Sequence, residues 1–591
     1  MRGCLRQIIA ALLAGPVLLT APAATAAEPS GRSVGQRVAS ERTVFGAVRA
    51  AGQMRVVPGN AASLLRNGVL GGKLIGMPPL GEPRSFAATS GEEELYDLTL
   101  LHTGRDGAPS TDHQPFIVKT DGESAWVDVP ADGKLRLPRG EYMISTKIYD
   151  PEGEVTDLVW PRLELTGDRT VDLDARLGQP LTVTVPNPSA TSFLAELVVN
   201  IPTDDGLGIS LLSWSDSFER RYSAQLGPAG ALDGMTTRIG SQWSGGPADS
   251  PYAYRLAWFE SGLMPTGFSR RVRPAELATV RARYAVGTPG ATGMLAAFAR
   301  NDAVPSGGFV EDVAFALPTT RTEYYNAEPG VVWENNFGEV QADAGGLTNQ
   351  LWGAGHYRPG RTYRETWNRG VLGPAFSGIR TPDRKPEEVA RTDDTINVNL
   401  PLYSDTADRY SWPGVSTGTT SLYRDGELVA ELPRLTGRFA VPATDAGYRL
   451  RIDAQRGKPA DLAIRTIVEW TFRSGGSPGR TTRLPTSVVR FTPTLDDHQT
   501  APAGATVRFP VRVHRQPGTA GGPVRTLAVG VSYDDGRTWS QAEVTQIGDS
   551  GLVTLHHPQS TGYVSLRAAA TDNAGNTVKQ TVIRAYRLAS D

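Results

Sequence analysis

From about residue 93 to the end, the chain repeats one pattern: short runs with apolar residues at every second position, set between turn residues. Leu135 and Leu137 alternate with Arg136, and Tyr142, Ile144, Thr146 and Ile148 follow Gly140 in the same rhythm. A period of two places one residue set on one face of an extended strand, so each run reads as a half-buried antiparallel strand. Asp121-Gly122, Asp132-Gly133 and Asp425-Gly426 supply hairpin turn chemistry between runs. Strands recurring every ~8–12 residues predict sandwiches. The expected fold is all-β, a tandem of antiparallel β-sandwich domains, preceded by a short α/β segment. In that segment Met54–Pro58 reads as a strand, and Asn60 caps a helix over Ala61–Asn67 that Gly68 closes.

The first residues have a different character. Arg2 and Arg6 precede an apolar run from Ile8 to Leu19, and Ala24-Thr25-Ala26 follows as a small-x-small site. This is the layout of a Sec-type signal peptide cleaved near Ala26, which predicts a secreted, extracellular protein. No later run approaches the ~20 apolar residues of a membrane span. Composition shifts then divide the chain into a signal peptide (1–26) and a linker with the α/β segment (27–92). Sandwiches are expected over 93–180, 181–318, 319–495 and 496–591.

The single cysteine, Cys4, lies inside the signal region. The remaining chain therefore has no thiolate nucleophile, no cysteine metal site and no disulfide, although export would permit one. Formal net charge is −2, and no basic stripe runs along the sequence, which argues against a nucleic-acid partner.

Motifs that carry chemistry elsewhere sit here in the wrong surroundings. Gly414-Val415-Ser416-Thr417-Gly418 matches the G-x-S-x-G elbow, but a strand-like run follows where a helix is required. Asp549-Ser550-Gly551 resembles the Asp motif of a serine-protease triad, yet the matching histidine and serine settings are missing, and a hairpin turn is the better reading. His556 and His557 would point to opposite faces of one strand. Asp393-Asp394, Asp405 with Asp408, and Asp496-Asp497-His498 lack the oxygen-ligand spacing of a Ca²⁺ loop and read as turns. Ser532-Tyr533-Asp534-Asp535-Gly536-Arg537-Thr538-Trp539 matches an Asp-box, S-x-D-x-G-x-T-W, in a single copy, which makes it a hairpin feature. Trp126, Trp258 and Trp470 lie in apolar alternation and are assigned to the core. Trp243, Trp333, Trp352, Trp367 and Trp412 lie among Gly, Asn and Ser, and the last four are the candidates for an exposed ligand surface.

Several segments together resemble one family. Val531–Trp539, followed by Arg567-Ala568-Ala569-Ala570-Thr571-Asp572-Asn573-Ala574-Gly575-Asn576, is similar to the closing immunoglobulin-like domain of large secreted bacterial subtilisin-like serine proteases. Arg321–Asn326, Arg361–Gly370, Glu469–Ser474 and Val489–Pro493 continue the resemblance in order. Leu135–Tyr142 resembles the first, transthyretin-like accessory domain of those proteins. Met54–Leu70 is similar to the end of their propeptide. The resemblance covers roughly 93–591 plus this remnant, and skips the protease domain, so no catalytic residue carries over.

These readings together imply a non-catalytic binding or interaction protein that needs no cofactor and holds no metal. Its expected partners are a protein or a cell-surface polymer. The alternatives are a regulator or inhibitor of a separate secreted serine protease, a carbohydrate-binding module, and an unrecognised hydrolase acting through Ser416 or an acidic pair.

Overall fold

The computed structural model describes residues 94–590, apart from 207, 247–248, 305–313, 342–345, 378–387, 413–415, 477–478 and 520, together with the backbone of 42–50 and 53–56. The expected signal peptide and the helix over 61–67 lie outside the described residues. Segment 42–50, expected in a linker, is instead a strand paired antiparallel with Gly208–Ser215, and Gln53–Val56 pairs with it in turn.

Among the described residues every long element is a strand, and the helical content is two single 3-10 turns, Ala175–Leu177 and Pro274–Glu276. The turns follow the sequence chemistry: Asp425 and Gly426 both sit at positive φ, 50° and 94°, as a two-residue hairpin requires.

The N-terminal half is a stack of four sheets. The first layer holds Leu95–Thr103, Lys134–Pro138 and Arg169–Asp174. A seven-stranded second layer, centred on Gly140–Tyr149 and Val155–Leu165, packs on it through Leu98, Leu137, Ile144 and Leu158. The other face of this second layer presents Phe116, Val118 and Met143 to a nine-stranded third layer, which answers with Leu197, Ile239 and Leu256. The third layer's far side packs Tyr284 and Tyr325 on Leu295, Trp333 and Phe337 of a five-stranded fourth layer. The two middle sheets are therefore buried on both faces. Thr236–Ser244 shows the consequence: eight of its nine residues are buried, polar ones included.

Charged and amide side chains of this strand are paired with neighbouring strands. Arg238 donates to Glu196, and Arg255 to Gln242, Glu323 and the Leu295 carbonyl, all between the third and fourth layers. Buried charge is tolerable only when paired and hydrogen-bonded in this way.

The C-terminal half is built around one broad sheet, in the order Glu427–Leu432, Ser416–Arg424, Ala446–Arg456, Arg465–Ser474, Thr577–Ala589, Gly562–Asp572, Val524–Ser532 and Ser540–Gln541. Two four-stranded sheets cover its inner face. One contains Glu388–Thr392 and Thr395–Asn399, the other Thr506–Arg515 and Ser550–His556. All three share a continuous core that includes Leu450, Trp470, Phe472, Phe509, Val553 and Val582. Pairing of Arg465–Ser474 with Thr577–Ala589 joins strands on either side of position 495 in one sheet.

Arginines do much of the fastening in this thiol-poor chain. Arg391 donates to the carbonyls of Asp393, Ser474 and Pro442. Arg490 holds the carbonyls of Gly373, Pro374, Ser404 and Asp405. Arg456 and Arg587 reach the carbonyls of Thr348 and Gly287, tying the C-terminal half to the stack. A guanidinium offers five donors in a fixed fork, so one side chain can satisfy several loop carbonyls together.

Candidate binding face

The tryptophans expected to form a surface do not form one. Trp333 and Trp367 are each 2% exposed and belong to the core between the third and fourth layers. Trp333 donates Nε1–H to the Asn326 carbonyl at 2.9 Å. Trp367 donates to Glu365 at 3.2 Å, and the Arg409 guanidinium lies 3.7 Å from its ring centroid. The asparagines beside them, Asn335, Asn336 and Asn368, are buried too, so Gly, Asn and Ser did not signal exposure here. Trp352 is half-buried, with its ring edge-on to Tyr410. The backbone of Trp412 pairs with Gln350, and its side chain lies outside the described residues. Trp258 and Trp470 are core, and Trp126 is half-buried against the core between the second and third layers.

The motif residues have structural employment. Ser416 opens the strand Ser416–Arg424, and its Oγ is buried. Asp549 sits in the turn before Ser550–His556, where it holds Arg515 at 2.6 Å. His556 is exposed, whereas His557 is buried between Tyr533 Oη, 3.1 Å away, and Tyr586 Oη, 3.4 Å away. Burial pushes His557 down to about 4 and Tyr533 up to about 12. In the Asp-box turn Asp534 accepts from Ser532 Oγ, Thr538 N and Thr538 Oγ1, which holds its carboxyl down at about 2. Asp405 accepts from Asn368 N and Arg409, Asp408 pairs with Arg490, and Asp497 pairs with Arg283. Among the described residues no three His, Cys, Asp or Glu side chains gather as metal ligands.

What stands open is the outer face of the broad sheet, and strand register defines it. Tyr423, Arg449, Thr471, Thr577, Thr571 and Thr526 form one row across six adjacent strands. The next row is Ser421, Arg451, Glu469, Lys579, Ala569 and Ala528, and the third is Thr419, Asp453, Ile467, Thr581, Arg567 and Gly530. With strands about 4.8 Å apart, each row runs ~24 Å.

The charges on this face are layered by height. Asp453 and Glu469 lie low, with side chains 15% and 16% exposed, while Arg451, Arg449, Arg465 and Lys579 stand out at 34%, 39%, 45% and 70%. Arg465 grips Asp453 with a fork at 2.8 and 2.7 Å, and Arg451 adds a contact at 2.9 Å. Burial opposes ionisation of Asp453, but these arginines outweigh it and hold the carboxyl below its usual range. Glu469 is bracketed by Arg449 at 3.3 Å, Arg451 at 3.8 Å and Lys579 at 3.9 Å. Arg567 lies 4.7 Å from the Trp539 ring centroid. Solvent therefore meets cations braced from beneath by carboxylates. Sequence reading passed over these residues because the cations come from four strands, so no stripe forms along the chain. The run Tyr448-Arg449-Leu450-Arg451-Ile452-Asp453 carried the only local signal, with charge at every odd position.

Fold and face together define an all-β protein of layered sheets with a broad, charged, solvent-facing surface. No protein-family model matches the chain, and no curated protein does. Among solved structures it is similar to the fibronectin(III)-like modules of Clostridium thermocellum CbhA, with 10% identity, 34% of this chain and 87% of that chain covered, and a TM-score of 0.13. A chimeric titin Z1Z2 tandem is similar at 14% identity, 34% and 93% coverage, and a TM-score of 0.14. A Salmonella alpha-2-macroglobulin mutant is similar at 10% identity, 80% and 44% coverage, and a TM-score of 0.13. At such TM-scores the likenesses carry no argument about function.

Proposed function

We propose that this chain is a secreted, non-catalytic interaction protein, related to the accessory region of subtilisin-like proteases, and that it binds its partner through the outer face of the broad sheet. The observation that supports this reading is the face itself: six strands wide and dressed with braced cations. Asp405, Asp408, Asp497, Asp534 and Asp549 are engaged in holding turns and layers together, which fits a scaffold. The test is retention of the purified chain on envelope fractions of the producing cell, run beside a casein digest with an active-serine probe. Retention without turnover or labelling is expected. Turnover or labelling that survives purification refutes the reading.

A further inference from the structure

Resting on that reading, we propose that the outer face of the broad sheet binds a linear acidic polysaccharide, a polymer of carboxylated sugars. Two features of the face point to this ligand class.

The first is charge complementarity. Arg449, Arg451, Arg465, Arg567 and Lys579 face outward across four adjacent strands, and the carboxylates that brace them, Asp453 and Glu469, lie beneath. Glu431, on the edge strand and hydrogen-bonded by Ser421, bounds the cation rows on one side. Arg473 and Asp445 form a neutral pair at their end. The bracing carboxylates order the guanidiniums, as the two-point grip of Arg465 on Asp453 shows, and a ligand carboxylate would meet the N–H donors beyond that grip. Fixed forks of this kind recognise carboxylates with little loss of rotamer freedom.

The second is the neighbouring row. Thr526, Thr571, Thr577 and Thr471 place four hydroxyl side chains side by side on consecutive strands, with Thr577 and Thr471 in mutual contact at 2.6 Å. A hydroxyl both donates and accepts, which suits the hydroxyls of a sugar. The hydroxyl row ends on Arg449, Arg451 and Lys579 lie in the next row, Arg567 in the third and Arg465 in the row beyond, so an extended chain that follows the threonines has the cations along one flank.

The experiment uses the full chain and measures equilibrium binding of polygalacturonate, its neutral methyl ester and a glycerol-phosphate polymer. The exposed double variant Lys579→Glu/Arg567→Glu is tested in parallel, with circular dichroism and the thermal midpoint confirming its fold. Polygalacturonate is expected to bind the wild-type chain. Binding should fall about tenfold or more for the methyl ester, for the folded variant, and at ~0.5 M salt, where exposed charges are screened. Equal affinity for the methyl ester, an unchanged affinity in the folded variant, or preference for the glycerol-phosphate polymer would overturn the proposal. If polygalacturonate is not bound while envelopes still retain the chain, the acidic polysaccharide is wrong and the binding role stands.

Discussion

Acid should weaken this protein through two histidines that the fold keeps neutral. His102 is 8% exposed, and its ring stacks on His113 with centroids 3.7 Å apart and planes 7° from parallel. Burial, and then the His113 charge, push it down to about 4 from an ordinary 6.5. His557, buried among tyrosines, is pushed to the same value by burial. Each folded-state pKa lies below the unfolded one, so the unfolded chain binds more protons at intermediate pH. The stabilisation is therefore complete above pH ~6.5 and is lost as pH falls toward 4. A displacement of two and a half pH units corresponds to about 3 kcal/mol per histidine, of which about 2 kcal/mol is gone by pH 5. The assay is the unfolding midpoint from pH 7.5 to 4, for the wild type and His102→Phe, which keeps an aromatic ring against His113 and removes the titration. The variant should lose less stability than the wild type over this range. Parallel pH profiles, or an NMR titration placing His102 near 6.5, would refute the reasoning.

Three further predictions follow from buried groups. Arg391→Met should cost about 1–3 kcal/mol in thermal or denaturant unfolding, because the buried Ser474 carbonyl loses its donor while the carbonyls of exposed Asp393 and Pro442 turn to water. Glu196→Gln should cost about 3–5 kcal/mol, since Arg238, 1% exposed, keeps its charge without its partner. Replacing both Glu196 and Arg238 with methionine should recover most of that loss. Trp333→Ala should cost about 3–5 kcal/mol as a core cavity and leave the polygalacturonate affinity of the folded fraction unchanged, because the ring lies between the third and fourth layers.

How much of this was legible in the sequence differs by element. The strand Ala446–Arg456 was readable, because its alternation of buried and part-exposed residues repeats the alternation of its side chains. The turns at Asp121-Gly122, Asp425-Gly426 and the Asp-box were readable too, since their chemistry is local. Thr236–Ser244 was not, because it is buried on both faces and its polar residues are paired within the stack. Trp333 and Trp367 misled for the same reason: Asn335 and Asn368, polar residues beside them in the chain, are buried and hydrogen-bonded to Tyr325 and Glu339.

The sequence by itself determined that this chain makes strands, where many of them turn, and which side chains share a face. Only the tertiary structure decided which faces are covered. Period two sorts residues into two sets, and both sets can be buried when a sheet has neighbours on each side, as in the middle layers. The broad C-terminal sheet has neighbours on its inner side, and its other set, the braced cations and the threonine row, is left to solvent. That difference depends on contacts between distant segments, such as Arg465–Ser474 with Thr577–Ala589, which no local pattern encodes.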